Sequence, residues 1–322
     1  MKNFTDQIAV VTFLQENETL PIHFELLLNS LKEYCSVMSF VISSESLEKK
    51  EFSSFIDKYL SLPNETKFNK IKSALPEIKS DYILFIDSDI TIDVESVVKL
   101  VKVSINKKVD LSWGKIYALA RPGIIAKFIT IDKFLSHNII RPFLWKIRCA
   151  ITIPGQIFFI KRETMQAVFE YKNTYLDDIA VGMFFRKNKS LRLYTLNEVV
   201  GLEEPAITLK NLFKQRKRWA HGYASMLSQA KENNCKAYIM LHGFSYHGLW
   251  LLNFLLILLF FRLSTVYGFL FLIFISCVFC SFKPKYFLVG FVYIFFFPAV
   301  HVYWYVNFLK FNSIEKRLKS IY

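Results

Sequence analysis

Short apolar runs alternate with amphipathic stretches through the first two-thirds of the chain. Ile8 to Phe13 has the unbroken apolar character of a buried strand, and from about Pro21 to Tyr34 the apolar residues recur at helical spacing. Val37 to Ile42 predicts a second strand, and about Ser46 to Leu60 a polar helix. Tyr82 to Ile86 is the cleanest strand, and Val94 to Val103 returns to helical spacing. Such alternation predicts an open α/β sheet that binds its ligand at the carboxyl ends of the strands.

Past Lys236 the pattern changes. Three apolar runs, about Tyr246 to Phe261, Ser264 to Phe282 and Tyr286 to Leu309, follow one another. A membrane-crossing helix takes roughly 20 mostly apolar residues, so the second and third runs are long enough. The first is long enough if it starts near Tyr238, where His242 and His247 make its entry polar. Tyr303, Trp304 and Tyr305 suit an interfacial aromatic belt. The expected division is a cytoplasmic domain over 1–235 and a membrane domain over 236–322 with two or three transmembrane or interfacial helices. Lys310, Lys316, Arg317 and Lys319 favour a cytoplasmic tail, which conflicts with three full crossings from a cytoplasmic domain, so the sequence leaves the topology open.

Composition supports this division. Of 322 residues, 53% are hydrophobic, too many for a wholly soluble enzyme, and the net charge of +14 suits anionic lipid head groups. Between Lys236 and Tyr322 the only acidic residue is Glu315. Cys35, Cys149 and Cys235 are scattered, and Cys277 and Cys280 lie within an apolar run, so neither a disulfide framework nor a zinc site is expected. The opening MKNFTDQIAVV lacks a signal-peptide pattern, and insertion is expected to rest on the C-terminal segments. There is no GxGxxG, GxxxxGK[ST] or HExxH.

Three constellations carry candidate chemistry. Asp87-Ser88-Asp89 ends the best strand and offers the hard oxygens that Mg²⁺ or Mn²⁺ takes when it bridges nucleotide phosphates. The same residues could serve helix capping, through Asp89 or Asp93. Leu176-Asp177-Asp178 precedes a helix-compatible stretch, where paired carboxylates complement a helix dipole or supply a general base. Gln215-Arg216-Lys217-Arg218-Trp219 is a basic run with an intercalated Gln and a terminal Trp. It could be a solvated face, but no aromatic-basic interleaving elsewhere supports nucleic-acid binding.

Taken in order, DYILFIDSD, IPGQIFFIKRE, YLDDIAVG and QRKRWAHG resemble the motifs of membrane-bound family-2 inverting glycosyltransferases, the branch that includes cellulose, hyaluronan and chitin synthases. The resemblance implies a GT-A fold, a Rossmann-like α/β domain followed by C-terminal transmembrane helices. It implies that Asp87 and Asp89 hold Mg²⁺ or Mn²⁺, that Asp178 is the general base with Asp177 beside it, and that Gln215 and Arg218 bind the donor diphosphate. Trp219, Gly155 and Gln156 would face the acceptor. Lys70 lies near the diphosphate or on a solvated helix face. The family's Asp-rich turn after the second strand is replaced by VISSESLE, with Ser43, Ser44 and Glu45 in its place, and Gln15 and Glu16 replace the usual residues after the first strand.

The implied activity is transfer of a sugar from a nucleotide sugar, UDP-linked by resemblance, to a lipid-linked glycan or growing polysaccharide at the inner cell membrane. Alternatives are a processive synthase working as a homo-oligomer or with an export channel, and a non-catalytic nucleotide-sugar sensor or scaffold subunit.

Overall fold

The computed structural model describes residues 6–15, 18–44, 54–62, 65–170, 177–232, 236–280 and 286–321. Packing divides the chain into two compact units, one of residues 1–117 and 151–204 and the other of residues 118–150 and 205–322.

The first unit is built on one sheet. Its strands are β1 (Gln7–Leu14), β2 (Ser36–Ser43), β3 (Lys58–Ser61), β4 (Tyr82–Asp87), β5 (Ile90–Ile92), β6 (Leu111–Ala118), β7 (Ile157–Lys161) and β8 (Leu193–Glu203). Their order is β3-β2-β1-β4-β7-β6-β8-β5. The β3-β2-β1-β4 half is parallel, and β7 joins β4 antiparallel. Both faces of the parallel half are covered, which is why β1 is an almost unbroken apolar run rather than an alternating one. Helix α1 (Phe24–Lys32) buries Phe24, Leu27, Leu28 and Leu31, the stripe its spacing predicts. Helix α3 (Val94–Asn106) buries Val97, Val98, Leu100 and Val101 into the same core.

The polar helix expected to reach Leu60 does not extend that far. Lys58–Ser61 is an edge strand paired with Phe40 to Ser43, because tertiary pairing outweighs weak local propensity. Residues 45–53 of that stretch lie outside the described residues, and so does Glu45.

In the second unit, α4 (Ile124–Leu135), a π-helical turn (Ser136–Ile140) and α5 (Arg141–Lys146) form one helical run. Helices α8 (Leu209–Glu232), α9 (Lys236–Gly243), α10 (Leu249–Leu263), α11 (Thr265–Cys280) and α12 (Phe287–Ile321) complete the unit. Phe128, Ile131, Leu135 and Leu144 share an apolar core with Tyr293, Phe297 and Val300 of α12.

Among the described residues, one helical stretch, Phe287–Ser313, is long and apolar enough to cross a membrane, and 44% of its most apolar window is buried within the chain. Lys236–Gly248 and Leu251–Leu263 meet the same criterion only together, across a 50° bend, and Thr265–Cys277 falls short of it. Trp304 does not belong to an aromatic belt. It is 1% exposed, with its ring stacked on His247 at 3.8 Å.

Candidate functional site

The parallel strands place the first constellation. β2 and β4 flank β1 on opposite sides, so the order reverses at the β1/β4 crevice, where open α/β sheets bind their ligands. Asp87 is the last residue of β4, opposite Phe13 of β1. The antiparallel β7 brings the IPGQ turn alongside, and the Asp87 amide donates to the Gln156 carbonyl at 2.9 Å. The Gln156 side-chain amide donates to Glu203, a buried carboxylate at the end of β8. Helix α7 (Asp177–Lys187) starts at the carboxylate pair, with Asp177 buried and Asp178 half-buried. A β-carbon on Gly155 would lie 3.2 Å from that of Asp178. The absence of a side chain at 155 is what lets this turn approach the helix start.

Lys67 is the residue that sequence reasoning missed. It opens α2 (Lys67–Ala74), capped by Thr66. Its ammonium lies 2.6 Å from Asp87 Oδ1 and 3.2 Å from Asp177 Oδ2, and donates to the Gly155 carbonyl at 2.8 Å. The group also sits 5.3 Å from the centre of the Phe13 ring. Burial alone would lower the Lys67 pKa, but Asp177 and Asp87 together raise it above the ordinary lysine range. Asp87 is pushed up to about 7, chiefly by burial and further by Asp177 and Asp89, against the pull of Lys67. One signal could have flagged the residue: a cation at the first position of a helix opposes the dipole and needs another partner.

Asp89 is exposed and does not cap α3, since Asp93 accepts the Ser96 amide at 3.0 Å. Ser88 donates to Glu18 at 2.6 Å. Lys70 is not on a solvated face. It is buried and donates to Ser44 at the end of β2, and burial lowers its pKa although Glu65 and Glu18 pull it back. Lys72 is exposed. Among the described residues, no three His, Cys, Asp or Glu side chains converge as a ready-made metal site.

Gln215, Arg218 and Trp219 belong to the second unit, all on α8. Arg218 is exposed, while Gln215 and Trp219 are half-buried. The buried member of this run is Arg216, 3% exposed, 2.6 Å from Asp132 Oδ2 and stacked 4.3 Å over the Trp219 ring. Tyr293 donates to the other Asp132 oxygen at 3.3 Å. Removing one partner strands the other charge. Asp132 keeps about a fifth of its side-chain exposure, so Arg216→Met is expected to cost about 2–3 kcal/mol rather than the full buried-pair penalty. Asp132→Asn should cost a similar amount, and the double variant should lose less than the sum of the two in thermal melts. Additive losses would show that the pair contributes nothing.

Thus the first unit brings Asp87, Gly155, Gln156, Asp177, Asp178 and Lys67 together, and α8 carries the QRKRW residues on the second.

The model of glycosyl transferase family group 2 matches residues 82–306. Comparison with curated proteins returns no match. Among solved structures, the chain is similar to a mannosyltransferase, PcManGT, from Pyrobaculum calidifontis in complex with GDP-Man and Mn²⁺, with a TM-score of 0.55 and 13% identity over 96% of this chain and 87% of that one. It is also similar to glucosyl-3-phosphoglycerate synthase from Mycobacterium tuberculosis in complex with Mn²⁺, UDP and phosphoglyceric acid, with a TM-score of 0.50 and 18% identity over 69% of this chain and 78% of that one. The shared architecture is the Rossmann-like GT-A fold. Because the family model spans well over half of the sequence and takes in the β4 carboxylates, the α7 pair and the α8 motif alike, the chain belongs to glycosyl transferase family group 2.

Proposed function

We propose that the protein transfers a sugar from a nucleoside-diphosphate sugar to a hydroxyl acceptor, with inversion at the anomeric carbon. The observation that carries this reading is the oxygen cluster at the β1/β4 crevice, where Asp87, Asp177 and the Gly155 carbonyl gather around the Lys67 ammonium and Asp178 is the next residue on α7.

In this reading Asp178 accepts the proton of the attacking hydroxyl, as a half-exposed carboxylate at a helix start can. Gly155 and Gln156 shape the acceptor side of the turn. Lys67 counters the carboxylates before the donor arrives and is in reach of a diphosphate afterwards. Arg218 and Gln215 supply charged and neutral hydrogen bonds to the diphosphate, and Trp219 offers an apolar ring to an acceptor sugar. The donor set is all oxygen, which fits Mg²⁺ or Mn²⁺. Such ions take one or two protein carboxylates and complete their shell with substrate phosphate, so a third carboxylate is not required. Asp87 and Asp89 would hold the ion, which when bound neutralises charge on the departing diphosphate.

The acceptor reading rests on the second unit. Leu255, Leu263, Val266, Phe274, Leu288 and Leu309 are each at least half exposed on α10, α11 and α12, and large apolar side chains exposed together mark a partner or membrane contact. A membrane covers them in this reading, with the first unit at the cytoplasmic face and a lipid-linked or growing glycan as acceptor.

The test is release of free nucleotide from a panel of GDP- and UDP-sugars, with and without Mn²⁺. Chelation or Asp89→Ala is expected to weaken donor binding as well as turnover. Full activity in excess EDTA would remove the metal from this scheme. Arg218→Lys is expected to lose most activity although its charge is kept, because ammonium lacks the planar fork that grips two phosphate oxygens.

A further inference from the structure

Helix α8 has a buried stripe of Leu212, Arg216, Ala220 and Tyr223, at the three- and four-residue spacing of one helix face. Three of these suit a buried stripe, and the fourth is a guanidinium. The helix has cations enough on its outer side, where Lys210, Lys214, Lys217 and Arg218 are all exposed. An ion pair in a buried place seldom adds stability over an apolar residue of similar volume, so packing alone does not account for Arg216. Its contacts do. Arg216 Nη2 donates to Asp132 of α4 at 2.6 Å, and Tyr293 of α12 holds the other Asp132 oxygen. The guanidinium carbon lies 4.3 Å from the centre of the Trp219 ring and 5.9 Å from that of Phe297 on α12. Among the described residues, Arg216 Nε has no hydrogen-bond partner, so one carboxylate and two aromatic rings hold the group.

Arg216 and Trp219 are three residues apart, which makes them neighbours on the helix surface. The cation covers one side of the indole, yet Trp219 is only half-buried, so part of the ring stays open. We propose that Arg216 is a positioning residue for the acceptor: it fixes the plane of the Trp219 indole so that the open side of the ring meets a pyranose. The proposal rests on the acceptor role given to Trp219 above and assigns the residue that sets it. An unconstrained indole samples several rotamers, and each aims its face differently. A cation over the ring, itself tied through Asp132 to α4 and α12, selects one of them. Lysine at 216 would keep the charge but lack the planar group that lies along an indole.

The experiment uses the full chain in a sugar-free detergent, with its five tryptophans replaced by 5-fluorotryptophan for fluorine resonance. The line lost in Trp219→Leu belongs to Trp219. In Arg216→Lys that line is expected to shift and broaden while the other four stay in place. Asp132→Asn, which loosens the guanidinium without touching the indole, should move it in the same direction. Transfer is measured in parallel, from the best donor of the GDP- and UDP-sugar panel to octyl β-glucoside and octyl β-mannoside. Arg216→Lys should raise acceptor KM by about 3–10-fold, the range that losing a cation–π contact supports. Maximal rate and donor KM should stay within about two-fold, the signature of lost acceptor binding. In a Trp219→Leu background the Arg216→Lys effect on acceptor KM should vanish, because the two act as one unit.

An unmoved Trp219 line in Arg216→Lys overturns the proposal, and this readout needs no turnover. If Trp219→Leu still raises acceptor KM in that case, the acceptor role of Trp219 stands without Arg216. Movement of all five lines together shows a fold-wide role for Arg216, and a raised donor KM shows action through Arg218. Either result overturns the proposal. An acceptor KM unchanged in Trp219→Leu removes the acceptor reading itself, and the proposal with it.

Discussion

Asp178→Asn is expected to lower glycosyl transfer by at least about 10²-fold while leaving donor affinity within a few-fold of the parent. Asparagine matches aspartate in shape, so the close approach of Gly155 to the start of α7 is kept. What disappears is a carboxylate able to take the proton of the attacking hydroxyl. The check is turnover by nucleotide release alongside donor binding by calorimetry. Near-normal transfer would remove Asp178 from the base role, and loss of both quantities would mark it as part of the donor site instead.

Gly182→Ala is expected to destabilise the first unit by about 3 kcal/mol, the upper end for an overpacked site. A β-carbon at this position would lie 2.8 Å from the Thr152 amide nitrogen and closer still to the Ile151 carbonyl. Both are backbone atoms, so no side chain can swing aside to make room. Relief requires α7 to move away from the 151–152 segment, taking Asp177 and Asp178 with it. Activity should therefore fall even at temperatures where the variant stays folded, and the melting temperature should drop by several degrees. An unchanged melt with unchanged activity would mean that α7 is not held where it stands.

The sheet was legible where burial dictates pattern. Strands β1 and β4 are covered on both faces, and their apolar runs stand out, so the position of Asp87 at a strand end could be read directly. Edge strand β3 could not, because its four residues carry no apolar run and owe their form to Phe40 to Ser43 beside them. The site divided along a similar line. Asp87, Asp89, Asp177 and Asp178 announced themselves as paired acids in a chain poor in acid. Lys67 is one of 41 basic residues, and only its contacts with two carboxylates and a carbonyl set it apart. In QRKRW, sequence drew attention to Arg218. The phase of α8 instead buries Arg216, whose partner Asp132 lies 84 positions earlier, and single-sequence periodicity says nothing about such a pairing.

The second unit is interrupted in sequence, since its 118–150 piece is made well before 205–322. During synthesis, Phe128, Ile131, Leu135 and Leu144 therefore emerge while Tyr293, Phe297 and Val300 have yet to be translated. A nascent chain at that stage carries a sticky, cationic helix with nothing to fold against, the kind of intermediate that chaperones or a nearby bilayer would intercept. The same discontinuity governs where the gene can be cut. A stop codon after residue 234 would keep the Arg216 contact with Asp132 but remove Tyr293, Phe297 and Val300, so a fragment trimmed to remove the apolar helices should aggregate rather than behave as a soluble domain. A soluble version would need the 119–150 segment trimmed or recoded at the same time.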